Sequence, residues 1–415
     1  MIHSIELLSP AGNEEKLKYA IAYGADAVYA GFPKFSLRAR ENDFNNENLA
    51  ASIDYSHKRG KKIYITLNIY PHNRKLPAIK RALTLLKEIQ PDGVIISDPG
   101  VINLAHNICP SVPLHLSTQA NAVNWLSVKF WKNAGVQRII LPRELSIDEI
   151  AEIREKVPDI ELECFVHGSI CIAYSGRCLI SNYLTHRDSN QGICTNSCRW
   201  AYRIMKEERY FLEETKRPGE FMPIEEDEHG SYLMNAKDMC ALDVLPQLMS
   251  VGINSIKIEG RTKSLYYVSV ITKAYRHALN AVANGKSIPE ICYKDIYSVS
   301  NRGYIKGFNQ NEILTHAVNY DSPQTHSDTY QFCGIVRDNN KKNGLSRISV
   351  RCRFNRGDEL EMFTPSQQMR FKVNKLYNLN GEEEITVHGG GEDKYLELPL
   401  SETEYGLLRK PLNII

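Results

Sequence analysis

The chain has 415 residues, of which 42% are hydrophobic and 24% charged, with a formal net charge of +2. That length and composition fit a soluble globular protein of about two or three domains with a large core. They exclude a chain-wide electrostatic field for nucleic acid, so any such site must be a local patch.

No run approaches the roughly 18 apolar residues of a membrane span. The start, Met1–Leu8, lacks a basic segment followed by a long apolar stretch, so no signal peptide and a cytoplasmic location are expected.

In chain order, the first 265 residues repeat one unit. A helix-like segment ends near glycine or proline, and a short β-branched run follows. Tyr23-Gly24-Ala25-Asp26-Ala27-Val28-Tyr29, Ala134-Gly135-Val136 and Val251-Gly252-Ile253 are instances, and Pro91-Asp92-Gly93-Val94 is a variant. Glycine suits the left-handed cap of a helix, and an apolar run suits a strand buried on both faces. Eight such strands are predicted: Ile5–Leu8, Ala27–Ala30, Ile63–Leu67, Gly93–Ser97, Leu114–Ser117, Arg138–Leu141, Leu162–Val166 and Ser255–Ile258. Asn13–Tyr23 and Leu145–Lys156 read as connecting helices. The second is opened by Ser146 and Glu149 at capping-box spacing. Eight alternating units point to a (β/α)8 TIM-type barrel. An open doubly wound sheet is the rival, but no Gly-x-Gly-x-x-Gly follows the first strand.

The seventh unit is abnormally long, which predicts a cysteine-rich insertion at about residues 167–250. The barrel is expected over residues 1–285, with Tyr266–Asn284 as its eighth helix. An irregular connecting segment covers 286–328, and a small all-β barrel domain covers 329–415, where alternating strands are punctuated by turns such as Gly389-Gly390-Gly391.

Five of the ten cysteines fall between Cys164 and Cys198. In a reducing compartment, crowded thiols bind metal or do chemistry more often than they pair. Cys171, Cys178, Cys194 and Cys198 are spaced Cys-x6-Cys-x15-Cys-x3-Cys, with Cys240 further on. Four thiolates from one loop-rich segment suit an iron–sulphur cluster or structural zinc, and the wide first spacing leans to iron–sulphur. The plainer alternative is inert buried thiols. It fits Cys109, Cys164, Cys292, Cys333 and Cys352 better than the four, whose neighbours are Gly, Ser, Asn and Arg.

His167, at the end of the seventh strand, is a candidate ligand or acid–base group. Glu259, Arg261 and Lys263 follow the eighth strand, where an arginine can clamp a carboxylate or phosphate. Asn68, Asp98, Gln119 and Arg143 hold the matching position after other strands. Arg177, Arg187, Arg199, Arg203 and Lys206, with Trp200 and Tyr202, form a candidate nucleic-acid patch. Glu225–Gly230 reads as a solvated acidic loop. No His-Glu-x-x-His or Gly-x-Ser-x-Gly motif is present.

Ser9-Pro10-Ala11-Gly12-Asn13, Gly24–Gly31, Phe165–Gly168 through Ser175-Gly176-Arg177-Cys178, and Lys257-Ile258-Glu259-Gly260-Arg261 resemble the collagenase-like U-32 peptidase family over essentially the whole chain. Asn190-Gln191-Gly192 with Cys194 and Cys198, and Glu225–Gly230 followed by Asn235-Ala236-Lys237-Asp238, look most like its tRNA hydroxylation branch. The resemblance implies prephenate-dependent 5-hydroxylation of the wobble uridine of tRNA. It also implies an iron–sulphur cluster, a [4Fe-4S], on Cys171, Cys178, Cys194 and Cys198, with Cys240 as a replacement ligand. Under it, His167, Glu259 and Arg261 are the candidate catalytic residues, and Arg143, Arg177 and Arg199 the candidate substrate-binding ones. Other branches act on ribosomal RNA or a quinone precursor, and the family name points to a peptidase. A second family-member subunit is a candidate partner.

Overall fold

The computed structural model describes residues 5–37, 42–171, 173–174, 177–178, 180–200, 202–206, 210–214, 221–224, 226–227, 230–231, 237–308, 329–342, 344–400 and 403–412. By contact it divides into two units. The first is Met1–Leu17, Asp26–Thr262 and Asn301–Thr325, and the second is Lys18–Ala25, Lys263–Ser300 and His326–Ile415.

The first unit holds a closed barrel. Its strands begin with β1 (Glu6–Ala11), β2 (Ala27–Gly31), β3 (Lys62–Thr66), β4 (Gly93–Ile96), β5 (Leu114–Leu116), β6 (Arg138–Ile140) and β7 (Glu161–Ser169). After β7 comes the insertion. It carries β8 (Tyr202–Lys206), β9 (Tyr210–Glu214) and β10 (Phe221–Ile224) in one antiparallel sheet, then a hairpin of β11 (Glu226–Asp227) and β12 (Gly230–Ser231). β13 (Asp238–Cys240) returns antiparallel to β7, and β14 (Ser255–Ile258) is the eighth barrel strand. β14 pairs in parallel with both β7 and β1, which closes the ring. β15 (Tyr304–Ile305) then adds to β13, extending the sheet beyond the barrel.

Every residue of β2, β4, β5, β6 and β14 is buried. This is why these strands read as mostly apolar runs: a parallel barrel strand has packed side chains within and helices outside. The helices are α1 (Glu14–Ala22), α2 (Asn46–His57), α3 (Leu76–Ile89), α4 (Pro99–Ile108), α5 (Trp125–Asn133) and α6 (Ile147–Lys156), then α7 (Ile180–Thr185) in the insertion and α8 (Leu245–Val251). The Ser146/Glu149 capping box opens α6. Gly252, at φ 83°, ends α8 in the left-handed conformation that glycine adopts without a Cβ clash.

The second unit contains α9 (Leu265–Ala283) and α10 (Glu290–Tyr297) with the C-terminal β domain. α10 lies where the sequence reads as irregular. Its eight residues behind Pro289 are too few to establish a helical period. The β domain comprises β16 (Tyr330–Lys342), β17 (Leu345–Val350), β18 (Phe354–Asn355), β19 (Glu359–Phe363), β20 (Gln368–Lys372), β21 (Leu376–Tyr377), β22 (Thr386–Val387), β23 (Lys394–Leu396) and β24 (Leu407–Pro411). Seven of these form one antiparallel sheet with β20 and β21 at its edges, and β18 pairs with β22. The domain is therefore an open antiparallel half-barrel. Its core includes Cys333, Ile348, Phe354, Leu360, Met362, Leu396 and Leu408. No helix of the described residues is long and apolar enough to cross a membrane.

Candidate functional site

A cavity of ≈ 110 Å³ opens at the C-terminal ends of the barrel strands, the face where barrel enzymes build their sites. Its walls are Tyr29, Ile95, Ile140 and Phe165 from the strands. Its rim carries Thr66, Asn68, Ser117, Gln119, Arg143, Ser169, Cys171, Glu259 and Arg261, and Lys257 also lines it. At the rim two guanidinium groups, Arg143 and Arg261, thus accompany one carboxylate, Glu259, which suits an anionic ligand.

Each rim cation is positioned. Arg143 stacks on Phe165, its guanidinium carbon 3.9 Å from the ring centroid, and its Nε is buried without a hydrogen-bond partner among the described residues. Arg261 is buried and donates from Nη1 to Thr66 Oγ1 at 2.7 Å. A Cβ on Gly31 would stand 2.7 Å from that same nitrogen and 2.5 Å from Ser36 Oγ, so glycine there makes room for the guanidinium. Glu259 receives the Tyr29 hydroxyl at 3.2 Å, and its backbone N–H donates to the His167 carbonyl at 2.9 Å. Gln119 accepts from Ser97 and Ser117 through Oε1, at 2.9 and 3.2 Å, while its buried Nε2 has no partner among the described residues. Two unpartnered buried donors in one cavity are unfavourable unless a ligand or water accepts from them.

Beneath the cavity lies a buried ion network. Lys257 donates to Glu163 at 3.0 Å, and Arg138 holds Glu163 at 3.2 Å, Glu6 at 2.6 Å and Glu161 at 2.7 Å. The Tyr64 hydroxyl donates to Glu6 at 2.7 Å. Burial pushes the Glu6 carboxyl up, but Arg138 and Tyr64 outweigh it and leave it below its usual value. Burial also lowers the Lys257 ammonium, which Glu163 only partly offsets. Burial, reinforced by Arg138 and Lys257, holds His115 well below the usual imidazole value.

The insertion is tied to the loop after β3. The Tyr70 backbone N–H donates to the Asn190 carbonyl at 3.3 Å, Gln191 Nε2 donates to the Tyr70 carbonyl, and Lys75 donates to Gln191 Oε1 at 2.8 Å. Ser189 and Asn190 both donate to the Cys178 carbonyl, at 2.7 and 3.2 Å. The Asn190-Gln191-Gly192 turn therefore joins Cys178 to the barrel. Cys171, Cys178, Cys194, Cys198 and Cys240 are exposed or half-buried, whereas Cys109, Cys164, Cys292, Cys333 and Cys352 are buried. The sequence separates the same two groups. Among the described residues, no three Cys, His, Asp or Glu side chains converge into a metal-binding group. The donor set nevertheless fits a thiophilic metal or cluster, because all five accessible thiols belong to the insertion.

The peptidase family U32 model matches residues 12–316, and the model of its C-terminal domain matches residues 328–409. The chain belongs to peptidase family U32. This U32 chain is 42% identical over 442 residues to tRNA hydroxylation protein P of Haemophilus influenzae, covering 98% of this chain and 96% of that one. It is 43% identical to tRNA hydroxylation protein P of Escherichia coli, with the same coverages. It is 36% identical to the 23S rRNA 5-hydroxycytidine C2501 synthase of Escherichia coli, covering 68% of this chain and 40% of that one.

Of the candidate residues, the U32 fold brings Arg143, Cys171, Glu259 and Arg261 to one cavity. His167 is buried on β7 and does not line it. Its ring lies 5.4 Å from that of Tyr304, and its backbone, through the Glu259 contact, borders the rim. Arg177 is exposed and donates from Nε to the Gln119 carbonyl at 3.2 Å. Arg199 sits on a short 3-10 turn, Ser197–Arg199, and its side chain lies outside the described residues, as do those of Arg203 and Lys206. The acidic run 225–230 falls in or beside the β11–β12 hairpin, with residues 225, 228 and 229 outside the described residues. Cys240 pairs in register with His167. Asp98 caps α4 through the Val101 N–H at 2.9 Å. Lys257, Tyr29 and Thr66 are cavity residues that strand-end reasoning passes over. Their one signal is Lys257, a charge inside the apolar run Ser255-Ile256-Lys257-Ile258.

Proposed function

We propose that this protein is an RNA-modifying enzyme that hydroxylates carbon 5 of the wobble uridine of tRNA in a prephenate-dependent way, with a [4Fe-4S] cluster on the insertion cysteines. The observation that carries this reading is the likeness to tRNA hydroxylation proteins P at 42% and 43% identity over 98% of the chain, a span that includes the insertion and the half-barrel. The cavity supports it, since prephenate carries two carboxylates and the cavity has Arg143 and Arg261, either of which can grip one.

Cys171, Cys178, Cys194 and Cys198 would hold the cluster, with Cys240 as the replacement for one of them. A bound cluster would supply redox chemistry beside the cavity, because Cys171 lines it. The protein's own groups do the rest. Arg143 and Arg261 fix the carboxylates, and Gln119 Nε2 donates to a ligand acceptor. Glu259, steadied by Tyr29, is the rim carboxylate for proton transfer. His167 positions Glu259 through its carbonyl. Arg177 and Arg199, with Arg187, Arg203 and Lys206, contact the RNA backbone, and the target base is drawn out toward the barrel mouth. The reading places the enzyme in the cytoplasm and accommodates a second family-member subunit.

The test is mass spectrometry of tRNA nucleosides from a strain lacking this gene, complemented with the wild type or with Cys178→Ala. Loss of 5-hydroxyuridine derivatives, restored only by the wild type, is expected. Intact tRNA modification with a missing hydroxycytidine in ribosomal RNA would move the target to rRNA, which the likeness to the 23S rRNA enzyme makes the second reading. Anaerobically purified protein should contain about four iron atoms per chain. Stoichiometric zinc in a colourless protein would sink the cluster.

A further inference from the structure

Lys257 is a lysine in the wall of the cavity, and among the described residues the network beneath takes one of its three N–H donors. Among the described residues its Nζ gives one hydrogen bond, to Glu163 at 3.0 Å, and it lies 4.5 Å from the Tyr29 ring centroid and 5.3 Å from that of Phe165. The amine therefore stands between an ion network below and an apolar cavity wall above. At the rim wait Arg143 and Arg261, and two buried donors, Arg143 Nε and Gln119 Nε2, lack partners among the described residues. A primary amine between aromatic rings, a carboxylate in contact to take its proton, and guanidinium groups across the cavity are complementary to one class of ligand. That class has a carboxylate beside an electrophilic carbonyl.

We propose that Lys257 condenses with the keto group of an α-keto acid bound in the barrel mouth, forming an imine. The Lys257 ammonium first gives a proton to Glu163. Its nitrogen lone pair then adds to the carbonyl carbon, forming the C–N bond as the C=O π pair moves to oxygen and takes a proton. The resulting carbinolamine loses its hydroxyl with one proton as water, leaving C=N. The balance is amine plus ketone giving imine plus water, with no change of oxidation state. Burial favours the neutral amine that this addition requires, as in other lysines activated by desolvation. The carboxylate is held by Arg261 or Arg143.

The proposal rests on the anion-binding reading of the cavity and does not depend on RNA. The full-length protein, without RNA, is incubated with phenylpyruvate or pyruvate, treated with borohydride and digested for peptide mass spectrometry. The expected result is one reduced adduct on the peptide carrying Lys257, absent without the keto acid and lost in Lys257→Met. Arg261→Met retains Lys257 and should lower the yield with the keto acid but not with a neutral aldehyde. Wild-type peptide mapping decides the matter even if Lys257→Met fails to fold. Keto acid that binds by calorimetry yet leaves no adduct on Lys257 overturns the imine alone. Absence of any binding overturns the imine and the anion-binding reading together.

Discussion

At the scale of single residues, the site depends on charges placed where burial makes them expensive. Arg261 is buried and its Nη1 is held by Thr66 Oγ1, so the guanidinium is already placed at the cavity before a ligand arrives. A charge-assisted hydrogen bond contributes about 1.5–3 kcal/mol. Under the proposed function, Arg261→Ala should therefore weaken prephenate binding roughly ten- to a hundred-fold, read by calorimetry in the absence of tRNA. Gly31→Ala should act through the same group, because its Cβ would press on Arg261 Nη1 at 2.7 Å. Weakened binding is expected in both variants, with a lowered unfolding midpoint for Gly31→Ala because its Cβ also presses on the buried Ser36, and unaltered affinity in both variants would remove Arg261 from the ligand site. Gly31 ends an apolar strand, and nothing in its sequence context announces a guanidinium brought from β14's end. Arg261 itself was legible because it follows the last strand of a counted set of eight.

At the scale of elements, the insertion and α9 each carry a consequence. Lys75 and Gln191, with the Asn190–Tyr70 backbone bond, fasten the insertion to the β3 loop. Gln191→Ala should leave the barrel folded but speed proteolysis within the insertion and, under the proposed cluster, lower iron retention. Unchanged cleavage would mean that the turn is held by other contacts. In α9, Lys273 is buried. It donates to the Thr364 carbonyl at 2.7 Å, and its Nζ lies 4.3 Å from the Phe363 ring centroid. Burial, with Arg409 adding and Asp295 and Glu361 opposing, pulls its ammonium down from 10.5 to about 8. Between those values the unfolded chain binds the proton that the folded chain releases, so folding stability rises with pH across this window. The penalty is fully present below about pH 8. Unfolding free energy of the wild type relative to Lys273→Met should rise by about 3 kcal/mol from pH 8 to 10.5, measured by denaturant titration. A pH-independent difference would contradict it. The sequence predicts α9 but not this lysine's burial, because a lysine on a long helix ordinarily reaches water.

At the scale of the whole chain, two compact units form, and their boundary follows contact rather than sequence order. The helices α9 and α10 belong with the half-barrel. Arg409 accounts for much of this. Its guanidinium bonds Asp295 at 2.9 Å on α10 and Glu361 at 2.5 Å on β19, and all three are buried. Removing the cation leaves two buried carboxylates without it, a loss of about 3–5 kcal/mol. Arg409→Met should therefore lower the unfolding midpoint and separate it into an earlier transition for the second unit. A single transition at the wild-type midpoint would show that the carboxylates find other partners.

The barrel was legible from the sequence because its signal is local and repeated. A parallel strand buried on both faces is mostly apolar, and each helix stops at a cap, so eight units stand out. The accessible cysteines stood out for a related reason: their polar, glycine-rich neighbours do not build a core. The depth of the cavity, the ion network of Glu6, Arg138, Glu163 and Lys257, and the union of α9 and α10 with the half-barrel were decided only by tertiary structure. Those features join residues far apart in the chain, such as Glu6 and Arg138. Whether a charge is matched or exposed depends on what packs against it, and no local pattern encodes that.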